Sequence, residues 1–181
     1  MSKVVVLLNM SVDGLAGDQS WTRGFTDDGY VKFRHGQLME SRALLLGRIT
    51  YEQLCRGSLA RNESDTFTAR VRRLPKYVAS RTLRQVGDNS VLLDGDITAQ
   101  IGKLRSEPGQ DLLVYGSITL VEHLTTHNLV DELKLVIHPI VLGAGRRLFP
   151  TGTPTSAWRL AGTHTFDSGT VVLDYRPAPA L

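Results

Sequence analysis

Three stretches of this chain close an apolar run with small, hydroxyl-bearing or basic residues. They are Leu44 to Thr50 (LLLGRIT), Tyr77 to Thr82 (YVASRT) and Leu112 to Ser117 (LLVYGS). Glycine lets backbone come close to a ligand, hydroxyls and free N–H groups donate hydrogen bonds, and arginine adds charge. Gly47, Arg48, Ser80, Arg81, Gly116 and Ser117 are therefore candidates for holding phosphate, which the arginine fork suits well. Three such turns in one chain point to a dinucleotide site.

Other groups have plainer explanations. Asp13-Gly14 reads as a turn. His138 ahead of Pro139 reads as a packed histidine at a strand end. Trp21, in a long polar loop, is either a core side chain or a wall of a substrate pocket. Gly143-Ala144-Gly145 before Arg146-Arg147 also has the look of a phosphate loop. Arg70-Val71-Arg72-Arg73 reads as the solvated end of a helix. Cys55 is the one cysteine, which excludes an internal disulfide and fits a reducing cytoplasm. The five histidines are scattered, so no metal centre is expected.

These residues need a frame to hold them. Val4 to Leu8 reads as a strand buried on both faces. Met10 to Gly24 reads as a long loop. Asp27 or Asp28 is placed to cap a helix running to about Glu40. Further strands are predicted at 43–46, 76–79, 90–93, 111–115 and 133–137. Helices are predicted after Arg48 (ending before Gly57), at 67–74, 97–105 and 118–127, with a surface loop over 57–65. Trp158 to Phe166 and Thr170 to Arg176 form a closing hairpin. The whole implies a mostly parallel mixed sheet of about eight strands flanked by helices, with an antiparallel C-terminal hairpin. Residues 1–176 make a single domain and 177–181 a frayed tail. All three turns then fall on the carboxyl edge, where such sheets bind ligands.

The chain has 181 residues, 41% apolar and 22% charged, with net charge +3. That length can bury a substantial core. No basic face with interleaved aromatics speaks for nucleic acid. No apolar run approaches the roughly 20 residues of a membrane helix.

The ordered set Asn9 to Gly17 (NMSVDGLAG), Leu45 to Glu52 (LLGRITYE), Ser80 to Leu83, Val114 to Ser117, Leu129 to Leu133 (LVDEL) and Leu142 to Phe149 (LGAGRRLF) resembles the dihydrofolate reductase-like superfamily. The nearest branch is similar to the C-terminal reductase domain of bacterial riboflavin biosynthesis (RibD), in stand-alone form. The resemblance implies NADPH as cofactor. By it, Arg48 meets the adenosine-side phosphates and Thr50 starts the following helix. Ser80 and Arg81 contact the 2′-phosphate, and Gly116 and Ser117 underlie the pyrophosphate. The Leu15 and Ala16 backbone meets the nicotinamide amide. Tyr115 stands where the family carries the first glycine of a pair. It keeps the family's cis bond there, or has a trans bond with its ring against the cofactor. Gly143 to Gly145 becomes a structural turn.

The resemblance also supplies a proton donor. The family sets a carboxylate at the start of the first helix, shortly after a tryptophan, which here means Asp27 or Asp28 after Trp21. Capping is an equally good use of either aspartate. The expected function is an NADPH-dependent reductase that delivers hydride to a pterin-like or ribosylamino-pyrimidine-like small molecule. A non-catalytic nucleotide-binding module on the same fold is the rival, and a purely structural interaction protein a third reading. Family analogy adds a cytoplasmic homodimer, formed through the Leu129–Leu133 strand and the hairpin.

Overall fold

All eight residues of β1 (Val4–Ser11) are buried, because this strand runs between two parallel neighbours with helices on both sides. The computed structural model describes residues 1–17, 20–60, 66–87 and 89–179. After β1 come β2 (Leu15–Ala16), a 3-10 helix (Ser20–Phe25), α1 (Asp28–Met39), β3 (Ser41–Gly47), α2 (Arg48–Ala60) and α3 (Thr66–Arg73). Next are β4 (Lys76–Ala79), β5 (Ser90–Leu93), α4 (Ile97–Ser106), β6 (Asp111–Tyr115) and α5 (Ile118–Thr126). The chain closes with β7 (Glu132–His138), β8 (Arg146–Arg147), β9 (Trp158–Thr165) and β10 (Val171–Pro177).

Eight strands form one sheet in the order β5-β4-β3-β6-β1-β7-β10-β9. The first six run parallel; β10 is antiparallel to both β7 and β9. Alternation along the strands divides the core. Val4, Val6, Leu8, Leu45 and Val114 face α4 and α5, where they meet Ile101, Val121 and Leu124. Val5, Leu7, Leu44, Leu46 and Leu113 face α1 and α3, where they meet Tyr30, Leu38 and Val71. Full burial of each such side chain contributes about 1.5–3 kcal/mol before entropy is counted.

Local signals set several boundaries. Asp27 caps α1 and Asp96 caps α4, each accepting a backbone N–H in the first turn. Pro75 follows directly on α3 and Leu74 and cannot extend that helix.

Elsewhere the structure departs from the sequence expectation. Helix α2 continues past Gly57 to Ala60. One helical glycine costs about 1 kcal/mol, less than is gained by packing Tyr51, Leu54 and Cys55 against the α1-side core. Of the predicted 57–65 loop, 61–65 lie outside the described residues. The Met10–Gly24 loop contains β2, paired with distant β8, and the start of the 3-10 helix. The strand predicted from Leu129 is no edge: β7 lies between β1 and β10, and Leu129 and Val130 are buried within the chain. The exposed edge on that side is β9. Pro177 still pairs with Trp158, and Ala178 N–H donates to Ala157 O at 2.9 Å, so the tail is held further than expected.

Candidate functional site

Because six strands are parallel, their carboxyl ends open on one edge. The helix after β3 packs on the α1 side and the helix after β6 on the other, which leaves a crevice between the two strand ends. A groove of about 1290 Å³ occupies this edge. Gly47, Arg48 and Thr50 line it from β3 and α2, Ser80 and Arg81 from beyond β4, and Tyr115, Gly116 and Ser117 from the end of β6. The three turns singled out in sequence converge here.

The β6 turn is unusual backbone. Gly116 has φ +70° and Ser117 has φ 68°, ψ 70°, the left-handed region. Ser117 starts α5 without a side-chain cap bond. Ile118, Thr119 and Leu120 of the first turn of α5 line the groove, as do Arg48, Ile49 and Thr50 of the first turn of α2. Two helix starts therefore bring free N–H groups and positive dipole ends to one cavity. Gly47 makes the close approach possible, since a Cβ there would collide with the Ser117 hydroxyl.

The charge around the groove is one-sided. Among the described lining residues five are arginines (Arg23, Arg34, Arg48, Arg81, Arg146) and none is acidic. Arg48 reaches Glu52 at 3.3 Å one helical turn on, an exposed pair that releases at little cost. Arg146 is held by Glu122 (2.6 Å) and Thr119 (2.8 Å). Ser80 is buried, and its hydroxyl oxygen accepts the N–H groups of Thr82 (3.2 Å) and Leu83 (3.0 Å), which fixes the Arg81 turn.

At the α1 end the groove turns aromatic. The Arg34 guanidinium carbon lies 4.8 Å from the Phe67 ring centroid, and Phe67 lies 6.4 Å from Tyr115. Arg34 Nε is buried without a hydrogen-bond partner among the described residues. Beneath this end, the Tyr30 hydroxyl donates to Asn9 Oδ1 at 2.7 Å, and His138 Nε2 lies 2.9 Å from the same oxygen. His138 is fully buried and packs against Trp21, Phe25 and Tyr30. Burial pushes its imidazole down to about 4.

The remaining expected site residues lie apart from the lining. Asp27 Oδ1 accepts Tyr30 N–H and Oδ2 accepts Ser168 N–H, both at 2.7 Å. These bonds hold its carboxyl below the usual range, opposite to what a proton donor needs. Asp28 is exposed in the first turn of α1. Trp21 meets His138 edge-on at 5.4 Å, while Ser20, Thr22 and Arg23 beside it reach the groove. Leu15 and Ala16 are buried in the β2–β8 pair, and Gly17 after them reaches the groove. The Tyr115–Gly116 bond is trans. Asp13 is a structural tie: its carboxylate accepts Leu142 and Gly143 N–H and the Ser11 hydroxyl, which bring it down to about 2.

Sequence reasoning passed over Arg34, Phe67 and His123, and set Arg146 aside with the Gly143–Gly145 turn, whereas all four line the groove. His123 and His127 stand four residues apart on α5 with ring centroids 4.2 Å apart, a spacing visible in the sequence. Among the described residues no group of three His, Cys, Asp or Glu side chains could hold a metal, and no helix is long and apolar enough to cross a membrane.

Sheet order, hairpin and edge groove define a dihydrofolate reductase-like mixed α/β fold. The chain belongs to the RibD C-terminal domain family, whose profile matches residues 2–172. It is 30% identical over 176 residues to the uncharacterized Bacillus subtilis protein YyaP, covering 95% of this chain and 91% of that one. A solved pyrimidine reductase-like protein from Corynebacterium diphtheriae superposes with TM-score 0.65 at 12% identity, covering 99% of this chain and 93% of that one. The Thermotoga maritima diaminohydroxyphosphoribosylaminopyrimidine deaminase/5-amino-6-(5-phosphoribosylamino)uracil reductase superposes with TM-score 0.67 at 18% identity, covering 98% of this chain and 57% of that one.

Proposed function

We propose that the protein is an NADPH-dependent reductase acting on a planar, ring-bearing small molecule of the pterin or ribosylamino-pyrimidine kind. The observation that carries this is the long groove where three strand ends and two helix starts meet, rich in arginine and without an acid among its described lining residues. The residues present fit the cofactor. The left-handed Gly116–Ser117 turn and bare Gly47 make a cradle that side chains would fill, and arginines flank it for phosphates.

In this reading Gly116, Ser117 and the start of α5 hold the pyrophosphate, and Arg48 and Thr50 the adenosine side. Ser80 shapes the turn that presents Arg81 to the 2′-phosphate. Leu15 and Ala16 support the nicotinamide end through Gly17. When bound, NADPH would supply the hydride. The substrate ring then lies against Phe67, Tyr115 and Arg34, with Trp21 bracing that wall through His138.

Arg81 provides the test. Nicotinamide fluorescence titrations should find Arg81→Ala weakened for NADPH by roughly tenfold or more, the worth of a charge-assisted bond of about 1.5–3 kcal/mol. NADH affinity should hold. Equal losses for both nucleotides would remove the 2′-phosphate assignment, and no binding of either would remove the reductase reading.

A second reading, a nucleotide-binding module without turnover, is favoured by one observation: neither Asp27 nor Asp28 lines the groove. On the reductase reading Asp27 is an anchor, not the donor. Asp27→Asn should therefore retain turnover of any substrate found. It should also unfold at lower temperature, because an amide nitrogen would face Ser168 N–H. Loss of turnover with an unchanged melting point would restore Asp27 as the acid.

A further inference from the structure

We propose that His123 works with Arg81 as a selector of the phosphorylated nucleotide, its imidazole taking up a proton when the 2′-phosphate of NADPH binds beside it. This inference rests on the reductase reading above and extends it to a residue on the opposite wall.

His123 lies on α5 one turn beyond Thr119, and both line the groove that Arg81 and Ile97 close from the other side. Its Nε2 is 3.0 Å from Thr98 Oγ1 in the first turn of α4, so the ring is steadied from a second helix. Nδ1 makes no hydrogen bond among the described residues and is left for a ligand. Behind the ring stands His127, whose Nδ1 lies 2.8 Å from the His123 carbonyl oxygen.

The charged and titratable groups facing the ring decide its protonation. Desolvation, then His127, then Arg81 disfavour a charge on His123, and Asp96 favours it. Asp96 is engaged as the α4 cap, accepting Ala99 N–H at 3.0 Å. The balance puts the free imidazole below its ordinary value, hence neutral at pH 7. A phosphate dianion beside Arg81 would cancel the repulsion from that guanidinium and add attraction of its own. Binding then draws in a proton, and by linkage affinity falls as pH rises. The phosphate has its own pKa near 6, so a slope above pH 7 belongs to the protein.

The test is fluorescence titration of the full chain with NADPH and NADH at pH 7.0 and 8.5, for wild type and His123→Asn. Calorimetry in two buffers of different ionisation enthalpy counts the protons. Wild type should lose roughly fivefold or more in NADPH affinity at the higher pH and none for NADH. His123→Asn should bind NADPH about tenfold more weakly at pH 7.0, without pH slope or proton uptake, and NADH as wild type does. Unchanged NADH affinity certifies the fold, and His123→Gln replaces the variant if asparagine fails to fold. A variant with wild-type NADPH affinity and slope, or a wild type that takes up no proton, overturns the proposal while the reductase reading stands. A wild type that binds neither nucleotide overturns the reading itself.

Discussion

Replacing Gly47 by valine should cost about a hundredfold in NADPH affinity, about 2.7 kcal/mol. Gly47 ends β3 in register with Ala79 and faces the turn after β6. Any Cβ there meets the Ser117 hydroxyl and lies 3.3 Å from Ser117 Cβ. Rotation about χ1 can swing the hydroxyl away from a methyl, but Ser117 Cβ is held in place, because its left-handed backbone carries the start of α5, where Val121 N–H donates to Ser117 O at 3.0 Å. A branched side chain would tilt that helix start and close the cradle. Overpacking should also lower stability by about 1–3 kcal/mol. The cause can be isolated with a double mutant. Adding Ser117→Gly to Gly47→Val should restore part of the affinity, since glycine removes the obstructing atoms and accepts positive φ. Valine at 47 with wild-type binding would show that the crevice does not hold the cofactor, and no recovery in the pair would show that Ser117 is not what the side chain meets.

Acid should destabilise the protein well before its carboxylates titrate, and His138 should account for the early part. The side chain is fully buried among Trp21, Phe25 and Tyr30 and anchored on Asn9. Burial brings it down to about 4 from an ordinary 6.5. Between those values the unfolded chain binds a proton that the folded chain refuses. Stability is therefore complete above about pH 6.5 and falls as pH drops toward 4, by on the order of 3 kcal/mol. His138→Gln retains a donor for Asn9 but cannot titrate. Its melting temperature should fall less steeply over that window than the wild type's, the remaining slope belonging to His123, whose imidazole is also held below its ordinary value by burial. Parallel pH profiles would mean that His138 is not the group responsible.

Much of this architecture is legible in the residue order. β4, β5 and β6 keep the expected bounds 76–79, 90–93 and 111–115, each an apolar run preceded by one polar residue. Asp27 and Asp96 mark helix starts through their own side chains. The three turns fall on one edge because a parallel sheet sends every strand the same way. The misses share a cause. β2 and β8 are two residues each and pair across most of the chain, so neither carries a local pattern. Arg34 follows Tyr30 by one helical turn and reads as an ordinary helix surface residue until α3 brings Phe67 against it. Asp27 could be cap or acid on sequence grounds. Ser168, far along the chain, fills its second oxygen.

The strand-and-helix order, the parallel sheet and the three glycine, hydroxyl and arginine turns at its carboxyl edge follow from residue order alone, since periodicity and turn chemistry are local properties. Packing sets which other side chains share that groove: Arg34, Phe67, His123 and Arg146 arrive from separate elements. Packing also buries His138, which keeps it neutral, and engages Asp27 on both oxygens. Burial and long-range contact have no signature in any short stretch of chain, so charge state and partnership emerge only when the elements pack.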